Sequence, residues 1–322
     1  MKIKFRQAPL TLFVFSFLFA TVSWAQSSEL DDSVFFKTSY DQSIHRKRNA
    51  FWPAMGSFFA PGINQWIEGQ HKSAALYSGG ALLATALQIS ALSEVADSTE
   101  TLINPQDFAE AGDPIKKIVV GDAIYKTMGG LSALHAFKTS VHWHKDHTDR
   151  FSFIDPHREK MKDVILAPFA FSNLKRMTTL IPLATIGLLA ATTSFEAGNR
   201  GINIGDSLFI GSVSYGAGVG EEALFRGFLL PYMYDSWNNF FWSNTAQSLV
   251  FAALHINAEL TVPVWQFALG YYFGWITHQN HWSIEESVFI HTWWDVIAFT
   301  ATFAAAKTRG TSIYFPIVQS TF

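Results

Sequence analysis

The sequence contains no cysteine, which excludes disulfides, thiolate metal sites and cysteine nucleophiles together. Charge is scarce as well: Asp, Glu, Lys and Arg make up 15% of the 322 residues, against roughly a quarter in a soluble domain. The formal net charge of −3 lacks the basic excess of a nucleic-acid binder, so no nucleic acid partner is expected. There is no His-Glu-x-x-His segment, which excludes a zincin-type site. Internal repeats and low-complexity tracts are also missing. Any chemistry must come from carboxylates, histidines, hydroxyls or a metal held by them.

What is present is apolar and aromatic. Hydrophobic residues reach 49%, with 30 Phe and 11 Trp, many at the edges of apolar runs, where rings settle at a headgroup layer. The expected fold class is all-α: a polytopic transmembrane helical bundle of about seven or eight spans, contacting membrane lipids, in the bacterial inner membrane. Residues 1–25, with Lys2, Lys4 and Arg6 before a short apolar core and small residues at Ser23 and Ala25, have the layout of a signal peptide cleaved after Ala25. A polar extramembrane segment (26–50) follows and ends in the basic cluster His45–Arg48.

Residues 51–140 form an N-terminal membrane module. The part from 51 to 70, broken by Pro53, Pro61 and Gly62, reads as an interfacial or re-entrant helix. Its Pro61-Gly62-x-x-Gln65-x-x-x-Gly69-Gln70 pattern loosely resembles small bacterial membrane modules, and names no activity. Spans are expected at roughly 73–93, 117–140, 177–196, 204–232, 238–257, 262–279 and 284–306, with 163–174 a further half-span. Asp122 and Lys126 in the second span are four apart and self-neutralising. The first two spans enclose an acidic loop; the second and third enclose a basic, His-rich loop at 142–162, whose His142, His144 and His147 are read as solvated rather than metal-binding. The positive-inside rule puts the basic loop in the cytoplasm. The cluster at 45–48 asks for the same side, against a cleaved signal peptide, so sidedness stays open. A C-terminal tail covers 307–322.

Ionisable groups inside such spans are costly and mark function. Glu222 and Arg226 are four apart in helix-favourable order and can pair, while Glu221, about 100° round the helix, faces something else. His255 lies near the end of the next span, four residues after Phe251. His291 and Asp295, again four apart, share one face of the last. A second Glu pair, Glu285-Glu286, follows Ser283 in a capping-box spacing at a helix start and is assigned no catalytic part. If the three sets converge, Glu221, His255, His291 and Asp295 either activate a water directly or hold a divalent metal such as zinc that does so.

The order Glu-Glu-x-x-x-Arg, Phe-x-x-x-His, His-x-x-x-(Asn or Asp) resembles the CPBP intramembrane protease family, also called type II CAAX prenyl endopeptidases or Abi proteins, over roughly 160–306. The resemblance implies a helical bundle with a wet cavity that cleaves membrane-associated peptides or proteins. It implies Glu221 as base, assisted by His255, with Glu222 and Arg226 positioning it and His291 and Asp295 serving the scissile carbonyl. Asp295 departs from the Asn typical of eukaryotic members, and an ionised Asp cannot donate to an oxyanion, which weakens that role and favours a metal. The family's metal dependence has been described both ways. A non-catalytic scaffold or immunity factor, or a proton-coupled carrier, are the alternative readings.

Overall fold

The computed structural model describes residues 49–96, 112–197, 201–256 and 263–305. The signal-peptide reading, the cluster at 45–48, most of the acidic loop and the 307–322 tail lie outside them. The described residues contain no strand. The N-terminal part comprises α1 (Phe51–Phe59), α2 (Ile63–Ile67), α3 (His71–Ala96) and α4 (Asp113–His147). After α5 (Met161–Leu166) and two short 3-10 turns come α6 (Met177–Ala197) and α7 (Ile204–Leu224). A π-helical turn, Phe225–Leu229, leads without a break into α8 (Leu230–Trp237). The chain ends in α9 (Phe240–Ala253), α10 (Val264–Gln279) and α11 (Glu285–Ala305).

Helices stand at each of the seven expected spans, yet among the described residues only α3, over His71–Val95, is long and apolar enough to cross a membrane by itself. Two features account for the shortfall in every case but α6, whose apolar stretch is shorter, Met177–Thr192. α9 and α10 have 14 and 16 residues, fewer than the roughly 20 that cover the hydrocarbon. The polar residues that α4, α7 and α11 turn inward lower their hydropathy. The segment 163–174 is a short helix followed by 3-10 turns. The outer surface is nonetheless strongly apolar: Trp52, Ile67, Leu82, Leu188, Trp242 and Trp265 are all exposed, far beyond the scattered apolar residues of a soluble surface.

Local chemistry sets the helix ends. Asn203 caps α7 by accepting from Asp206 N at 2.8 Å, and Asp206 reaches back to Asn203 N at 3.3 Å, a reciprocal capping box. Between α8 and α9 the pair Asn238-Asn239 makes the turn: Asn238 takes the left-handed conformation (φ 47°) that closes α8, and Asn239 accepts from Trp242 N at 3.1 Å to open α9. The Pro61-Gly62 break between α1 and α2 docks on α4, where Gly62 N donates to Ser132 Oγ at 2.8 Å and buried Gln65 bonds both Ser132 O and Ser132 Oγ. The loosely recognised motif at 61–70 is therefore a latch between α2 and α4.

Two local expectations need correction. The His-rich stretch begins not as a loop but as the last turns of α4, with His144 buried and bonded to Thr148 Oγ1 at 2.9 Å. The basic residues there complement the negative end of a 35-residue helix. Nor do Ser283 and Glu286 form a capping box. Glu159, more than 120 residues earlier, caps α11 by accepting from Ile284 N (2.7 Å), Glu285 N (3.1 Å) and Ser283 Oγ (2.8 Å). Glu286 instead accepts from Thr179 (2.9 Å), Asn280 (2.7 Å) and Arg176 (2.5 Å), tying the start of α6 to α11. A cap is worth about 1 kcal/mol, and three N–H and O–H groups depend on this one carboxylate. Glu159→Ala should therefore lower stability by about 2 kcal/mol, read as a shift in the denaturation midpoint. Asp122 and Lys126 do pair, as expected.

α4 is the central element, packed against α1, α3 and α7, while α11 lies against α6 and α7. Where lipid surrounds a bundle there is no hydrophobic drive between helices, so close backbone approach carries the packing. The approach of α4 to α7 depends on Gly130 and Gly220, since a Cβ on Gly130 would lie 2.1 Å from Gly220 O.

Candidate active site

Glu221 and Glu222 stand in the last turn of α7, where the helix still has α geometry; Arg226 lies in the π-helical turn that follows. A π-turn shifts the register of everything after it and recurs at functional sites. His255 sits just past the C-terminal end of α9, and His291 and Asp295 lie in the interior of α11. All six side chains are buried, Glu222 and Arg226 completely. The three motifs, up to 74 residues apart in the chain (Glu221 to Asp295), meet at one place.

Within that place the groups form two layers. In the inner one, Arg226 Nη1 donates to Glu222 Oε1 at 2.8 Å, and His291 Nδ1 donates to the same oxygen at 2.8 Å. Arg226 has no hydrogen-bond acceptor for Nε or Nη2. Its guanidinium lies instead against aromatic rings, 4.4 Å from the Phe251 centroid, 5.4 Å from Phe273 and 5.7 Å from Phe225, which supply cation–π attraction where water is excluded. Phe273 also stacks on the His291 ring, at 5.3 Å between centroids.

The outer layer faces a cleft. Glu221 Oε2 accepts no hydrogen bond and lies 3.9 Å from both His255 Nε2 and His291 Nε2. His255 Nδ1 donates to Phe251 O at 2.7 Å; because a carbonyl only accepts, that bond places the proton on Nδ1 and leaves Nε2 as an acceptor toward Glu221. Asp295 Oδ2 is 3.6 Å from His291 Nε2, beyond hydrogen-bond length. The cleft is walled by α7, α10 and α11 and floored by these four polar groups.

The same distances can be set beside those of a metal site. Ligands sharing one zinc at about 2.0–2.2 Å in tetrahedral geometry stand roughly 3.3–3.5 Å apart, and Glu221 is farther than that from both imidazoles. No group of three or more His, Asp or Glu among the described residues has the spacing to hold a metal ion. A separation of 3.9 Å is instead too long for a direct bond and short enough for one water to touch both atoms.

Residues the sequence reading missed support the site. Asn244, Gln247 and Ser248 are completely buried on α9; Gln247 Nε2 donates to Asn244 Oδ1 (2.9 Å), Ser248 Oγ (2.8 Å) and Gly270 O (3.1 Å), fixing α9 to α10. Their spacing with Phe251 on one helical face was the available signal. Gly218 sets the distance between α7 and α11, because a Cβ there would lie 2.1 Å from Thr292 Oγ1 and 2.9 Å from Thr292 N on α11. Gly218→Ala should push α7 from α11 and lower kcat by about 100-fold, since a misplacement near 1 Å costs that much. Circular dichroism of the variant should match the parent.

The all-helical bundle buries a Glu/Glu/Arg, His and His/Asp constellation beside an apolar cleft. Residues 203–297 match the model of a family described as type II CAAX prenyl endopeptidase Rce1-like, the family that the three motifs resemble. The match is narrower than the 160–306 expected from the motifs and contains all six site residues. It supports an integral membrane protease acting on a membrane-associated peptide or protein. No curated protein and no solved structure matches the chain.

Proposed function

We propose that this protein is an intramembrane endopeptidase that hydrolyses peptide bonds of membrane-associated substrates through a water activated by Glu221, without a metal. The observation that carries the reading is the Glu221 carboxylate oxygen with no hydrogen-bond donor, 3.9 Å from two imidazole nitrogens at the wall of an apolar cleft. A buried carboxylate left in this state is costly unless it has a task.

In the proposed reaction a water held between Glu221 and His255 Nε2 gives a proton to Glu221 as its oxygen bonds the scissile carbonyl carbon. The carbonyl π electrons move to oxygen, and the oxyanion is held by a proton on His291 Nε2. Glu222 fixes that ring through Nδ1, and Arg226 fixes Glu222. Asp295, which as a carboxylate only accepts, lies 3.6 Å from Nε2 and favours the charged imidazole through space instead of donating to the oxyanion. Collapse of the tetrahedral intermediate expels the amine, which takes the proton from Glu221. This assignment moves Glu222 and Arg226 from positioning Glu221 to positioning His291. The bundle sits in a bacterial inner membrane, with the short α9 and α10 spanning only part of its thickness.

The test uses the full chain in lipid nanodiscs with apolar peptides in ¹⁸O-water. Each new carboxyl end should acquire one ¹⁸O atom, and treatment with a chelator should leave the rate unchanged. Loss of activity on chelation with recovery on adding zinc would overturn the metal-free mechanism. Unaltered peptides would favour the scaffold reading.

A further inference from the structure

We infer that Phe273 is a positioning residue for His291: its ring holds the imidazolium in place against Glu222 and stabilises the charge that the oxyanion meets; this rests on the hydrolase reading above and deepens it. Phe273 stands on α10, a helix that supplies none of the three motifs. Two glycines let α10 come close enough to deliver the ring. A Cβ on Gly270 would lie 3.2 Å from Arg226 Nη2, and one on Gly274 would lie 1.9 Å from Asn244 Oδ1. Between them Phe273 is fully buried and stacks on His291, with 5.3 Å between centroids and 23° between planes. The same ring lies 5.4 Å from the Arg226 guanidinium.

The charges explain why a ring is needed at this place. Arg226 and His291 both donate to Glu222 Oε1 at 2.8 Å, so when both imidazole nitrogens carry protons, two cations share one carboxylate. Glu221 and Asp295 stand 3.9 Å and 3.6 Å from His291 Nε2, beyond hydrogen-bond length, and Glu221 loses its charge when it takes a proton from water. An aromatic face supplies negative potential that no proton transfer removes and that needs no solvent. The near-parallel stack turns that face, rather than the positive ring edge, to the imidazole. An aliphatic side chain would fill the same space and leave the cation without this support.

The experiment places phenylalanine carrying one, two or three ring fluorines at position 273 of the full protein in nanodiscs, because each fluorine weakens the negative face and changes the shape little. Stepwise fluorination should lower kcat by about 10-fold in total with KM unchanged. The same series at Phe225, whose ring lies 5.7 Å from the Arg226 guanidinium, should leave kcat within about twofold of the parent. Equal falls at the two positions, or no fall at 273, would overturn the inference. Denaturation decides it without any turnover. In His291→Gln, which keeps a donor for Glu222 and has no charge, about half or more of the midpoint shift caused by fluorination at 273 should vanish. An undiminished shift would overturn the role. Absence of Glu221-dependent hydrolysis with this coupling intact counts against the hydrolase reading alone, so the two failures are told apart.

Discussion

Replacing Glu221 by Gln should lower kcat by about 1,000-fold with little change in KM or in the amount of folded protein. The substitution keeps the shape of the side chain and removes the group that can accept a proton from water. Because Glu221 Oε2 accepts no hydrogen bond and its imidazole neighbours stand 3.9 Å away, no direct hydrogen bond is lost. A residue that only held helices together would give the opposite pattern, lower stability with proportionate activity. The measurement is single-turnover hydrolysis by the purified variant alongside its denaturation midpoint. Activity within a few-fold of the parent would remove Glu221 from the mechanism.

Arg226→Met should destabilise the fold by about 3–5 kcal/mol, the cost of leaving a buried charge without its partner. Glu222 is completely inaccessible and has Arg226 and His291 as its donors, each at 2.8 Å. Removing the guanidinium leaves a carboxylate in a site that water does not reach. It also strips the three aromatic rings that surround it of their cation. Lys should rescue only part of the loss, because an ammonium cannot lie flat against Phe251 while bonding Glu222. The double variant Glu222→Gln, Arg226→Met should recover much of the stability, since the orphaned charge is gone. Its activity should stay low, because His291 loses the acceptor that fixes its ring. Denaturant titration of the parent, Glu222→Gln, Arg226→Met and the double variant completes the cycle, and strict additivity would mean that the pair is not coupled.

Particular elements show how far the sequence could be read. Glu222 with Arg226, and Asp122 with Lys126, were legible because partners four residues apart on a helix meet regardless of what surrounds them. The positions of the helices followed from apolar runs of sufficient length. The break at Pro61-Gly62 was legible as a break, but its docking on Ser132 was not, since that contact spans 70 residues. The error at Ser283 and Glu286 has the same origin. The spacing satisfied a local rule, yet Glu159 arrives from the preceding loop and holds the N–H groups first. The bond from His291 to Glu222 spans 69 residues, and it reassigns Glu222 from a partner of Glu221 to the support of an imidazole.

By itself the sequence determined which groups are available and which helices carry them, because composition, spacing and period are local properties of the chain. Only the tertiary structure decided which groups face one another and at what separation. Those depend on how closely backbones approach, and that approach is set by contacts such as Gly130 with Gly220 and Gly218 with Thr292, between residues that nothing in the local sequence pairs.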